Sequence, residues 1–245
     1  MSAAAPWGRT VVAQGRMEAR LTARRGENLL AMIAIPVGAL TVFGTVVVPP
    51  GGRDLDSLLP GVLALAIVAS GLVNLGIATA YERGYGVLKR LGGSPLGRDG
   101  LIAAKVAVVV AIGVAQVVAL VVVALVLGWR AGPEASPVAV AVTTLVGTAT
   151  FASLGLLIAG TLRPEAALVA ANALFLVGLL LAGVLVPLTE LPGPVAGVAG
   201  ALPFGALANA FDASLNGGTV VPTLAILGGW GLAAIITAVR TFRWD

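Results

Sequence analysis

The sequence predicts an all-α integral membrane protein. It should have six transmembrane helices, an N-terminal amphipathic interfacial helix, a short cytoplasmic helix between helices 2 and 3, and a re-entrant outer loop between helices 5 and 6. Three observations lead there. First, 58% of the 245 residues are apolar and 11% charged, with a mean hydropathy of +1.03. A soluble domain of this length could not cover that much apolar surface, so lipid must solvate most of it. Second, six stretches reach the roughly 20 apolar residues that a helix needs to cross a ~30 Å hydrocarbon core. Third, the basic residues flank these stretches instead of forming a patch, so the net charge of +4 reflects membrane topology and not a nucleic-acid surface.

Residues 1–28 are polar and carry Arg9, Arg16, Arg20, Arg24 and Arg25. This is far longer than the basic region of a secretory signal, and no small-residue cleavage pattern follows the apolar run ending "TVVVPP". The segment is therefore expected to stay on the protein. Trp7, Val11, Val12, Met17 and Leu21 can form an apolar stripe, with Arg9, Arg16, Arg20 and Arg24 largely away from it. Such a helix would lie in the cytoplasmic interface with its arginines toward anionic lipid. The plainer alternative is a frayed basic tail that only enforces topology.

Residues 29–245 form one domain without internal repeat or linker. Its spans are about Leu29–Val48, Leu58–Ala80, Leu101–Gly128, Val138–Ala159, Ala167–Pro187 and Val220–Arg240. Their valine content would favour strands in water, but an open sheet cannot satisfy its backbone in lipid, so length decides for helix. The third stretch exceeds a crossing and should tilt or protrude. Thirteen Lys and Arg fall in the N-terminal segment, in 81–105, at Arg163 and at Arg240 and Arg243, against Arg53 and Arg130 on the other side. That imbalance places both termini in the cytoplasm.

The chain has no Cys and no His, which excludes disulfides, thiolate chemistry and the commonest general base and metal ligand. No Asp, Glu, Lys or Arg lies well inside a span. Ion-coupled carriers usually need such a group, and membrane-embedded enzymes need nucleophile–base or metal-binding clusters, so both classes are disfavoured. There is no phosphate-binding loop of the G-x-x-x-x-G-K-[ST] type. Energy for any transport must come from another polypeptide.

The segment "YERGYGVLKRLGGSPLGR", 81–98, is the longest charged interruption. Continued as a helix, it puts Tyr81, Tyr85, Leu88 and Leu91 on one face and Glu82, Arg83, Lys89 and Arg90 on the other. Gly92-Gly93 breaks the helix, and Ser94-Pro95 can start another turn. A topology signal needs only positive charge, so Glu82 implies a docking partner with its own cation or backbone donor. The outer loop, 188–219, carries only Glu190 and Asp212 as charges and is broken by prolines and glycines. It is too interrupted to span and too apolar for water, which predicts short half-helices dipping into the outer leaflet, or else a flat helical cap.

At these residues the chain resembles the ABC-2 type transporter permeases. Their cytoplasmic segment runs approximately E-R-x-x-G-x-L-x-R-L-x-x-[ST]-P-[LI], matched here by Glu82, Arg83, Leu88, Lys89, Arg90, Leu91, Ser94, Pro95 and Leu96. The match departs around Gly84–Gly86. A second match, G-x-x-x-P-x-x-x-L-P with a further proline about eleven residues on, falls on Gly183, Pro187, Leu191, Pro192 and Pro203. The resemblance implies that 82–96 is a coupling helix seated in a groove of a separate ABC ATPase, with Tyr85 and Leu88 filling an apolar notch while charges fix its register. It implies two such ATPases, which bind ATP and Mg, a second permease, identical or homologous, and a bacterial cytoplasmic membrane. It also implies that the second and fifth helices line the pathway. Asn74 and Asn172 lie at similar depth, roughly 8–9 Å into the inner leaflet at 1.5 Å per residue. With Phe175 one turn on, they are the pathway candidates, the alternative being interhelical hydrogen bonds that only hold the bundle. The expected function is export of an amphipathic or hydrophobic molecule such as a drug, antibiotic, lipid or lipid-linked glycan, with short loops resembling the drug-resistance branch. A non-transporting scaffold for an ATPase and an ion-coupled carrier are the competing readings.

Overall fold

The computed structural model describes residues 6–24, 26–45, 54–92, 96–182 and 192–242. All regular structure among them is helical: α1 (Trp7–Arg24), α2 (Gly26–Thr45), α3 (Leu55–Val68), α4 (Leu75–Gly84), α5 (Val87–Gly92), α6 (Gly97–Val126), α7 (Pro137–Thr161), α8 (Pro164–Leu181), α9 (Gly193–Ala201), α10 (Pro203–Asn216) and α11 (Val221–Thr241). A π-helical segment, Ala69–Asn74, joins α3 to α4 without a break, so the second span is one rod of 30 residues, Leu55–Gly84. The protein is an all-α membrane protein.

Among the described residues, five helices are long and apolar enough to cross a bilayer, and the pair α9–α10, bent by 93°, can count as a sixth. The predicted first span corresponds to α2, whose sequence is apolar from Leu29 to the helix end at Thr45; Val46–Val48 lie outside the described residues. The predicted fifth span ran to Pro187, but α8 ends at Leu181, where Ala182 leaves helical geometry at ψ 5°. The segment expected to form the outer loop consists, among its described residues, of two short helices meeting near a right angle. Pro203 opens α10 in a first-turn position where its missing N–H costs nothing. α10 then lies buried against α3, α7 and α11.

The rod α3–π–α4 is the most buried span and α7 packs directly along it. Glycines make this seam. A Cβ on Gly155 would stand 2.5 Å from the Gly71 carbonyl oxygen, and one on Gly76 would stand 3.1 Å from the Gly155 carbonyl. The sequence alone gives the 147–155 glycine spacing little weight, because chance produces it in so Gly-rich a chain. The backbones nevertheless meet there, as small-residue contacts in lipid allow.

Two prolines sit inside membrane helices, and each removes the N–H that would bond the carbonyl four residues earlier. Pro36 orphans the Met32 carbonyl, which accepts from Gln116 Nε2 of α6 at 2.9 Å. Pro60 orphans the Asp56 carbonyl, which accepts from Asn216 Nδ2 of α10 at 2.9 Å. The Met32 vacancy lies within the bundle, where lipid supplies no water and a side-chain amide must fill it; the Asp56 vacancy lies at an exposed helix end, where the Asn216 amide takes a place open to water. Gln116, a polar residue inside a span, thus has structural work as a connector between α6 and α2.

α1 packs along α6 with Val11, Gln14 and Glu18 half-buried on the packed side and Arg9, Arg16, Arg20 and Arg24 around the opposite side. Trp7, Met17 and Leu21 form an exposed apolar strip beside the packed face. Val12 does not belong to that strip. At about 100° per residue it falls across the helix from Met17 and Leu21, and it too is exposed.

Candidate functional site

The charged segment after the second span is an elbow. α4 ends at Gly84, Gly86 takes a left-handed φ of 71°, and α5 restarts at Val87. This turn resets the helical phase, so the single apolar face expected from Tyr81 to Leu91 does not exist. Tyr85 is 74% exposed, whereas Leu88 is 1% exposed, buried with Leu96 and Leu101 and packed by Val11, Leu91 and Phe242. Leu88 therefore fills a notch of its own chain and not one of a partner. Lys89 and Arg90 point outward with Tyr85 and Val87.

Glu82 also finds its cation inside the chain. Its Oε2 is 2.6 Å from Lys105 Nζ on α6, and the same ammonium lies 3.2 Å from Glu18 Oε1 on α1. Lys105 is 4% exposed, so the triad ties three elements together in a place where water screens little. The expectation that Glu82 advertises an external cation is corrected accordingly. Arg83 is buried as well, and its guanidinium donates to the Gly160 carbonyl at 2.7 Å and to the Leu162 carbonyl. Those are orphan acceptors at the C-terminus of α7, which a cation suits twice, by hydrogen bonding and by the helix dipole. Of the predicted coupling residues, Glu82, Arg83 and Leu88 brace the elbow and Tyr85, Lys89 and Arg90 form its outer surface. Leu91 is half-buried beneath it, and Ser94 and Pro95 lie outside the described residues.

Beside the elbow opens a groove of about 630 Å³ between α2, the α3–α4 rod and α8. Asn74, Asn172 and Phe175 all line it. It runs from Glu82 and Tyr85 at the elbow to Phe43, Val62 and Leu179 at the far end. Asn74 sits at the end of the π segment, whose wider turn shifts the phase of everything after it; such segments recur at functional sites. Asn172 Nδ2 donates to the Leu168 carbonyl of its own helix at 2.8 Å, so it makes no bond across to Asn74. Among the outer-loop residues singled out from the sequence, Pro192 precedes α9 and Pro203 begins α10. Gly183, Pro187 and Leu191 lie outside the described residues.

The sequence model of one family, described as ABC-2 type transporter, matches residues 12–215. The chain belongs to the ABC-2 type transporter family. It is thus the membrane-spanning permease component of an ABC transporter and a multi-pass membrane protein, and the family implies partnership with an ABC ATPase. No curated protein matches the chain.

The permease has site residues that pattern reading misses. Lys105 and Glu18 belong to the elbow as much as Glu82 does, yet they come from helices 23 and 64 residues away. One signal was available: Lys105 lies four residues inside a predicted span, where an ammonium needs a partner. Pro36, which faces the groove, was also overlooked.

Proposed function

We propose that this permease works as an exporter, moving an amphipathic or hydrophobic molecule outward with energy from two ABC ATPases and in company with a second permease, identical or homologous. The observation that carries this reading is the groove. It is long, mostly apolar and open, and one of its ends is the elbow through which force would enter. The rod α3–π–α4 belongs to both, so a push on the elbow is a push on one groove wall. Arg83, the Lys105 triad and buried Leu88 stiffen that connection, because Arg83 fixes the elbow to the end of α7 while the triad and Leu88 fix it to α6 and α1. Tyr85, Lys89 and Arg90 are the surface an ATPase would grip, the aromatic ring supplying contact area and the cations setting register.

The termini and elbow face the cytoplasm of a bacterial inner membrane in this scheme. α1 lies in the interface with Trp7, Met17 and Leu21 toward lipid. Residues 192–216 close the outer end of the path. ATP and Mg are bound by the ATPases, whose closure draws the elbows together. The substrate falls in the class of drugs, antibiotics and lipid-like molecules.

The test is reconstitution with the partner ATPase in liposomes. Substrate-stimulated ATP hydrolysis and ATP-dependent movement of an amphiphile are expected. Replacing Tyr85, Lys89 and Arg90 together by Ala should abolish both while leaving the fold intact, since all three are exposed. A scaffold would show no substrate-stimulated hydrolysis, and a carrier would run on an ion gradient without ATP.

A further inference from the structure

We infer that Phe242 is a positioning residue for the elbow: its ring, carried on the end of α11, sets the angle at which α5 leaves α4. This rests on the proposed role of the elbow as the surface an ATPase grips, and it names what holds that surface in place.

α5 has six residues, too few to keep a helix in place by its own hydrogen bonds, so its position is set by what its buried side packs on. The turn before it gives little restraint, since a Cβ on Gly86 would meet nothing within 4 Å. The buried side is Leu88, with half-buried Leu91 beside it. Their cluster includes Leu96 and Leu101, which follow the elbow in the chain, and two side chains brought from elsewhere, Val11 of α1 and Phe242 of α11. Phe242 is the largest of these, and its ring also reaches α7. A Cβ on Gly160 would stand 2.8 Å from Phe242 Cγ and closer still to Cδ2, so the ring occupies the place a side chain would take there.

Gly160 is therefore the point to which both limbs of the elbow are fixed. Near the end of α4, Arg83 donates to the Gly160 carbonyl at 2.7 Å. The Phe242 ring lies against that same glycine and against the cluster that seats α5. Gly160 is buried, on the helix whose backbone meets the α3–π–α4 rod at Gly155. So α4 is braced on α7 directly, and α5 through an intervening ring. The ring itself is held: the Phe242 N–H donates to the Ala238 carbonyl at 2.8 Å, and α11 is fastened to α7 where Thr150 Oγ1 donates to the Leu227 carbonyl at 3.0 Å. Removing the ring would open a gap between α5 and α7 while leaving the Arg83 bonds, the Lys105 triad and the outer residues Tyr85, Lys89 and Arg90 in place. The expected defect is in how that surface is presented and not in what it is made of.

The test uses the full chain in lipid nanodiscs with a single cysteine at Val87, exposed on α5, carrying a nitroxide. A separate label at Val142, exposed on α7, is the reference. Phe242→Ala should make the mobile component of the spectrum the larger one at 87 and leave 142 unchanged. Phe242→Leu keeps a bulky apolar side chain and should restore most of the immobile component. Gly160→Ala should loosen 87 as well, by pushing the ring from its seat, and combining it with Phe242→Ala should add nothing further. That variant decides the matter even where Phe242→Ala does not fold. An unchanged spectrum at 87 in Phe242→Ala and Gly160→Ala would overturn the inference. So would equal loosening at 87 and 142, the mark of a general loss of packing. With the partner ATPase added, an elbow correctly seated about a fifth of the time should bind about fivefold more weakly, because apparent affinity falls with the competent fraction. A loosened elbow with ATPase affinity unchanged would support Phe242 as its holder and count against the elbow as the gripped surface. An elbow that stays fixed would overturn the role of Phe242 whatever the ATPase does.

Discussion

The α3–π–α4 rod has two unlike faces. Toward α7 it is closed: Gly71 and Gly76 meet Gly155 backbone to backbone, Arg83 binds the last carbonyls of α7, and Phe151 and Ala152 are fully buried. Toward α2 and α8 the same rod is open, lined by Asn74, Ile77, Tyr81 and Glu82 and facing a groove of about 630 Å³. Small residues permit backbone contact and leave no room for change; longer, mixed side chains leave space. The contrast separates a face that holds the fold from a face that is free to act on a ligand.

The comparison is broken most severely by Gly155→Val. Neither backbone at the contact can retreat, so a loss of about 3 kcal/mol or more is expected, visible as a lower thermal midpoint or loss of a monodisperse peak in detergent. Gly155→Ala should show a smaller loss in the same assay. Next comes Lys105→Met, which leaves two carboxylates without their shared ammonium. The triad is neither fully dry nor fully exposed, so about 2 kcal/mol is expected, and adding Glu82→Gln should recover part of it by removing one orphaned charge. Gln116→Leu should cost about 1–2 kcal/mol by leaving the Met32 carbonyl without a donor. Pro36→Ala restores a backbone N–H at that spot, so the double variant should recover most of the loss.

Much of this was legible in the sequence, and the reasons are physical. Spans show through composition because lipid demands long apolar helices, and the elbow shows because charge cannot hide there. Asn74 and Asn172 were placed at one depth from rise per residue alone, and both do line a single groove. What could not be read depends on phase and on distant partners. The left-handed turn at Gly86 sends Leu88 inward and Tyr85 outward, and the π segment rotates all that follows Ala69. Glu82 meets Lys105 because α4 ends beside α6, and Glu18 joins that ammonium because α1 lies along α6. The glycine seam was hidden by abundance, since one used glycine looks like many unused ones.

Smallest in stability are changes on the open face. Asn172→Leu should shift stability by within about 0.5 kcal/mol, because Asn172 is exposed and bonds only its own helix, whereas Phe175→Ala should cost about 1 kcal/mol, because the half-buried ring packs on the core. The same variants should alter transport of an amphiphile by about tenfold if they line the path.

The chain has no cysteine, so single-cysteine variants report cleanly. The most direct measurement is labelling of Phe175→Cys and, separately, Ala152→Cys by a membrane-impermeant thiol reagent, with the partner ATPase present and with or without ATP and Mg. The labelling rate at position 175 is expected to change with ATP, and position 152 to stay protected in both states. An ATP-insensitive rate at 175, or an accessible 152, would contradict the division of the rod into a fixed seam and a working face.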